Sequence, residues 1–201
     1  MAKKIAILSL AFLCFAFGLG AVTLYQDAQL YHEVIRFHVL ANSDTEEDQI
    51  LKLAVRDAVL LRVDEISADC ETVQDAKSAL MSHADEILQT ARQTVAQKGY
   101  DYPVSISFGP EAYPTRYYEG MQFPAGTYES VRLVIGEGQG QNWWCVLFPP
   151  LCVDASCAKE EMVQSGFTQS QIKILTERDN PRYVLRFRAL EVLEEWKNSF
   201  R

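Results

Sequence analysis

The sequence predicts an α+β fold, a single domain with helices packed on a mostly antiparallel sheet, and three observations predict it. Ile35, Phe37 and Val39 alternate with polar residues, the period of a strand with one face in a core. Two long helical patterns follow, and then several short strand-like segments from Val104 to Phe148 separated by turn residues. A strand, two helices, a run of strands and a last helix is the order of an α+β domain rather than of an alternating parallel one. A hydrophobic N-terminal helix precedes the domain. The expected division is residues 1–25 as signal peptide or membrane anchor and residues 26–201 as the domain, a normal domain length.

Lys3 and Lys4 stand before an uncharged stretch from Ile5 to Leu24. A positive flank followed by an apolar run directs a chain across a membrane and keeps its own charged end in the cytoplasm. About twenty apolar residues are also enough to span a bilayer. The stretch therefore serves either as a cleaved signal or as an anchor, and Gly18, Gly20 and Ala21 offer small residues without a clean Ala-x-Ala triplet. The whole chain carries a net charge of −8, and losing the two leader lysines takes the remainder to −10. Such a body is a poor partner for nucleic acid, whose phosphates demand a basic face. Contact with a membrane is expected only through the N-terminal segment.

After the first strand, Ser43 with Glu46, or Asp44 with Glu47, fits a capping box. The helix that follows, over about 46–65, is apolar on most faces and should be well buried. The spacing predicts a second helix over 72–97, with Val73, Ala76, Leu80, Ile87, Ala91 and Val95 on one stripe and Gly99 as its left-handed stop. Strands are expected at Val104–Phe108, ending at Gly109-Pro110, and at Tyr113–Tyr118, Tyr128–Ile135 and Asn142–Phe148. Residues 155–180 give a weak signal. Past Pro181, a helix should place Val184, Phe187, Leu190, Leu193 and Trp196 on one side.

Few residues offer chemistry. Gly136-Glu-Gly-Gln-Gly140 lies between strands and lacks the Lys-Ser/Thr of a phosphate loop, so it reads as a flexible hairpin loop. Neither a cofactor nor a metal is implied: the acids 44–48 lack the EF-hand pattern, and the cysteines lack a zinc spacing. Trp143 and Trp144 are adjacent on a strand and must face opposite ways, one inward and one toward a surface. Cys145 and Cys152 are close enough in sequence to be bridged around Pro149-Pro150, worth roughly 2.5 kcal/mol in the chain-entropy model; two buried free thiols are the alternative. Cys145 with His38 could serve a thiol hydrolase, although Cys145 sits in an apolar strand. A candidate partner-binding surface joins Gly136, Gly138, Gly140, Gln141, Asn142 and the exposed member of the Trp143–Trp144 pair, with Arg36 and His38.

Several blocks carry a resemblance to a known family. Ile35-Arg-Phe-His-Val-Leu-Ala-Asn-Ser-Asp44, Glu47-Asp-Gln49 and Lys52-Leu-Ala-Val-Arg-Asp-Ala58 look like the opening of the stage II sporulation protein R family. Tyr113-Pro-Thr115, Pro124-Ala-Gly126 and the long block from Gly136 through Trp143-Trp144-Cys145 to Cys152 resemble it as well, so the likeness covers about residues 33–153. It implies a protein that is not an enzyme. Members are exported from the forespore into the space between the two sporulation membranes, and this chain would be released there or anchored by residues 5–24. The expected partner is the extracytoplasmic face of a membrane-embedded aspartic protease, which the domain activates so that pro-sigma-E is processed in the mother cell. Alternatives are the thiol hydrolase using Cys145 and a passive envelope binding module.

Overall fold

Alternation along the first strand decides how the chain is layered. The computed structural model describes residues 25–118, 120–151, 162–177 and 179–199, with Cys14 and Val22. The leader expected over 5–24 otherwise lies outside the described residues, as do Cys152 and Cys157. In chain order the elements are β1 (Ile35–Leu40), α1 (Glu46–Ser67), α2 (Val73–Ser82), α3 (Ala84–Gln97), β2 (Val104–Tyr113), β3 (Arg116–Tyr118), β4 (Met121–Phe123), β5 (Gly126–Ile135), β6 (Asn142–Phe148), α4 (Gln169–Thr176) and α5 (Pro181–Ser199). A 3-10 turn at Gln29–His32 leads into β1.

Four strands form one sheet in the order β2-β5-β1-β6, and β3 pairs with β4 in a separate ribbon. The β2–β5 and β1–β6 pairs are antiparallel and β1–β5 is parallel, so the sheet is mostly antiparallel, as expected. One face packs Ile35, Phe37, Val39, Val131, Leu133 and Cys145 against Leu51, Val55 and Val59 of α1 and Ile87, Ala91 and Val95 of α3. This apolar layer is the larger core. The other face carries a second cluster of Tyr113, Tyr128 and Val146 with Phe123 of β4, Ile172 and Leu175 of α4, and Phe187 and Leu190 of α5.

Burial on both faces is the first departure from the sequence reading. All six residues of β1 are buried, including Arg36 and His38, because a central strand covered on both sides has no solvent face. Thr45, not Ser43 or Asp44, caps α1 by accepting from Asp48 N. That helix is less buried than its composition suggests, with Ile50, Leu53 and Leu61 exposed. The expected 72–97 helix is two helices broken at His83, which leaves helical geometry. Gly99 ends the second at φ +86°, as its position implied.

Strand β2 runs through Gly109-Pro110 to Tyr113, past the expected stop. It is an edge strand, where proline's missing N–H costs no ladder bond. The expected strand at Tyr113–Tyr118 is interrupted at Pro114-Thr115. On α5 the buried residues are Phe187, Leu190, Glu191 and Glu194, whereas Leu193 and Trp196 are exposed, Trp196 by 66%. Buried acids replaced part of the expected apolar stripe because they have work inside. Glu191 accepts from the Ala125 N–H at 3.2 Å and from the Thr115 hydroxyl, tying down the open end of the β3–β4 ribbon.

Candidate functional site

The glycine-rich segment does not close a hairpin. Strands β5 and β6 flank β1 rather than each other, so residues 136–141 arch over the end of β1. There the loop is held by its backbone: Gly136 N–H to Pro103 O at 2.8 Å, Gln139 N–H to Asn42 O at 3.2 Å and Gly140 N–H to Ala41 O at 3.0 Å. Asn42 Oδ1 accepts from Glu137 N–H, and Lys52 Nζ donates to Gln141 O at 2.8 Å. A side chain on Gly140 would collide with the Ser43 carbonyl, and one on Gly136, at φ +60°, with the Asn42 amide. The requirement for glycine is therefore close approach to the turn after β1.

That turn has its own order. Asp48 accepts from Asn42 Nδ2 at 2.9 Å and from Ser43 Oγ at 2.6 Å. Burial works to raise its carboxyl, but hydrogen bonds from Ser43, Asn42 and Tyr102 prevail and hold it below the ordinary carboxylate range. The two most recognisable stretches of the sequence, Asn42–Asp48 and Gly136–Gln141, thus explain one another.

A different place gathers chemistry. On the second face of the sheet, the half beyond the α4–α5 layer presents His38 from β1, Glu111 from β2, Ser130 and Arg132 from β5, and Asn142 and Trp144 from β6. His38, only 4% exposed, makes contacts of 2.7 Å from Nδ1 to Glu111 Oε1 and 2.6 Å from Nε2 to Asn142 Oδ1. A carboxylate only accepts, so Nδ1 carries the hydrogen of the first contact. Glu111 Oε2 accepts from Ser130 Oγ at 2.8 Å, and Ser130 meets the Tyr113 hydroxyl at 2.7 Å. Trp144 tilts over the His38 ring at 4.6 Å between centroids and meets Tyr113 edge-on at 4.9 Å. Beside this network a shallow depression of about 170 Å³ is lined by Ser107, Gly109, Glu111, Ser130 and Arg132.

Arg36, two residues earlier on the same face, is 0% exposed. Its guanidinium carbon lies 4.5–5.8 Å from the ring centroids of Tyr113, Phe123, Tyr128 and Tyr118. Nε donates to Cys145 O at 3.1 Å and Nη2 to the Tyr118 hydroxyl at 2.8 Å. Burial pushes the Tyr113, Tyr118 and Tyr128 hydroxyls above the phenol range, and Arg36 pulls each partly back. Each is a neutral hydroxyl at neutral pH.

The structure therefore brings Arg36, His38, Asn142 and Trp144 together on one face. Gly136, Gly138, Gly140 and Gln141 lie in the arch at the strand ends, and Trp143 points to the helix side, edge-on to Phe37 at 6.0 Å and under Arg56. Cys145 is disulfide-bonded; Cys152, its expected partner, lies outside the described residues. The Cys145 side chain belongs to the helix-side core, on the face opposite His38, so no Cys145–His38 pair forms. Glu111, Tyr113, Ser130, Arg132, Arg116 and Tyr118 were missed by the sequence reading. Glu111 is a lone acid in a strand, next to a proline that resembled a strand end, and only the β2–β5 register places it beside His38.

The layered sheet with its polar, aromatic-lined basin defines an α+β domain, and Cys145 is held in a disulfide. The model of the family "Stage II sporulation protein R" matches residues 31–157. The chain belongs to the stage II sporulation protein R family. It is 40% identical over 120 residues to stage II sporulation protein R of Bacillus subtilis (strain 168), covering 60% of this chain and 54% of that protein. The chain thus spans about half the length of that curated relative. No solved structure matches it.

Proposed function

We propose that this domain is an exported signalling protein of sporulation. In this reading it leaves the forespore for the intermembrane space, or stays anchored there by residues 5–24. It then activates a membrane-embedded aspartic protease that processes pro-sigma-E in the mother cell. Activation requires tighter binding to the protease's active form than to its inactive form. Family membership supports the sporulation role, and one observation supports the contact surface: every residue of the basin lies within the family-matched stretch, whereas α4 and α5 lie beyond it.

The basin is the proposed contact. Trp144 supplies a large, stiff anchor, and Arg132, 46% exposed at its side chain, supplies rim charge. The test is reconstitution of the protease and its precursor in membranes, with and without the purified domain. Trp144→Ala, with its fold verified by circular dichroism, and Arg132→Glu should each lower processing by roughly tenfold or more, the loss of a binding anchor. Unchanged processing with both variants would remove the basin as the contact. Protease activity indifferent to the wild-type domain would remove the activator role and favour a passive envelope binding module.

A further inference from the structure

Buried cations normally face a carboxylate, and Arg36 does not. No carboxylate lies in ion-pair range of Arg36 or Arg116 among the described residues, although nine other pairs are formed there. Three buried donors in one neighbourhood also lack any acceptor: Arg36 Nη1, Arg116 Nε and Trp144 Nε1. They belong to a single cluster. The Arg116 guanidinium carbon lies 4.5 Å from the Trp144 ring centroid. The Tyr118 hydroxyl, two residues along β3 from Arg116, accepts from Arg36 and donates to Trp144 O at 3.3 Å.

An unpaired buried donor costs about 1–3 kcal/mol and more when charged. All three share one deficiency, an acceptor with negative charge. Among the described residues Glu111 is committed to His38 and Ser130, and Glu191 to Thr115, Ala125 and Arg188. Thus a chain of net charge −8 holds two guanidinium groups around the Tyr118–Trp144 contact, neither ion-paired with a carboxylate of the described residues. A carboxylate has two oxygens, each able to accept more than one hydrogen bond, so one such group can take a single N–H from each guanidinium and the indole N–H. The β3–β4 ribbon, hydrogen-bonded to Glu191 of α5 at its open end, carries Arg116 and Tyr118 of the cluster, and Arg116 is only partly buried.

We propose that Arg36, Arg116 and Trp144 form a carboxylate-binding site, filled by an acidic side chain or chain terminus of a partner polypeptide. This goes beyond the activator reading and does not depend on it, because it concerns what the isolated domain binds.

The experiment is a titration of the ¹⁵N-labelled domain with acetate at constant ionic strength, following the indole N–H of Trp144, assigned with Trp144→Phe, and the Nε–H of Arg116. A saturable shift of both resonances is expected. In Arg116→Gln, whose unchanged spectrum elsewhere would certify its fold, apparent affinity should fall roughly tenfold or more, as for a lost charge-assisted hydrogen bond. A short peptide ending in a free carboxylate should compete with acetate, and its C-terminal amide should not. Three results would overturn the proposal: shifts no larger than chloride produces, acetate binding unaffected by Arg116→Gln, or inorganic phosphate binding more tightly than acetate. Acetate binding with no competition from the peptide would overturn the polypeptide source.

Discussion

The same six residues of β1 build both faces of the sheet, and the two faces obey different rules. On the helix side, Ile35, Phe37 and Val39 meet leucines, valines and alanines in a dry layer where shape and volume decide stability. On the other side, Arg36 and His38 sit among tyrosines, Trp144, Glu111 and Asn142, where each group has named partners or conspicuously lacks one. Alternation along a single strand therefore separates the residues of a purely apolar layer from those of a polar and aromatic one, which includes the contact surface proposed above.

The sharpest way to break this comparison is to truncate neighbours on opposite faces. Phe37 is completely buried, and Phe37→Ala should cost about 3–5 kcal/mol through lost burial and the cavity left behind. That lowers the melting temperature by on the order of 10 °C for a domain of this size. His38→Ala removes two side-chain contacts beside a partly open basin and should cost about 1–2 kcal/mol. Its larger effect should fall on partner activation. Urea unfolding of both variants checks the ranking; equal destabilisation would erase the distinction between the faces.

At the end of β1 the two rules meet in the glycine arch. Gly140→Ala should cost about 1–3 kcal/mol, as overpacking does, because its Cβ meets the Ser43 carbonyl rather than a side chain that can swing away. The cost should appear as a lower urea midpoint without loss of secondary structure by circular dichroism. Gly138, at φ +64° with Val134 Cγ1 2.6 Å from an added Cβ, belongs to the same packed arch. Substituting either glycine perturbs the fold, so the Trp144 and Arg132 variants are the cleaner probes of binding. A Gly140→Ala protein as stable as wild type would mean that the arch yields readily.

The helix-side core was legible in the sequence because it is periodic. Ile35, Phe37 and Val39 announce themselves at period two, and Val55, Val59, Ile87, Ala91 and Val95 at helical spacing. The second face was not, because nothing periodic marks it. His38, Glu111, Ser130 and Asn142 come from four strands separated by loops and helices, and they meet only once the order β2-β5-β1-β6 is set. Arg36 and His38 alternate with apolar residues as a half-buried strand would, yet both are enclosed, Arg36 by tyrosines and Phe123 and His38 by Trp144, Glu111 and Asn142. The glycine motif was conspicuous in sequence, but its purpose depends on contact with Asn42 and Ser43, almost a hundred residues earlier. On α5, periodicity misled: Glu191 takes a buried position because the Thr115 hydroxyl and the Ala125 N–H meet it there, and Glu194 is buried while paired with Lys197 of its own helix.

Asp48 gives the finest probe, because it belongs to the turn on which the arch rests. Its carboxyl is held below the ordinary range in the folded chain and is released to that range on unfolding. The unfolded state therefore binds the proton more readily, and stability rises with pH across that window. The contribution is fully present above the unfolded carboxyl value and is lost as pH falls through the lower, folded one. Asp48→Asn should destabilise the domain by on the order of 1 kcal/mol at neutral pH, the scale of a single hydrogen bond. The gap between variant and wild type should close on acidification below the folded value, read as urea midpoints across a pH series. A gap that stays constant with pH would show that Asp48 contributes shape rather than charge, which would place the turn with the helix-side face, where packing alone decides.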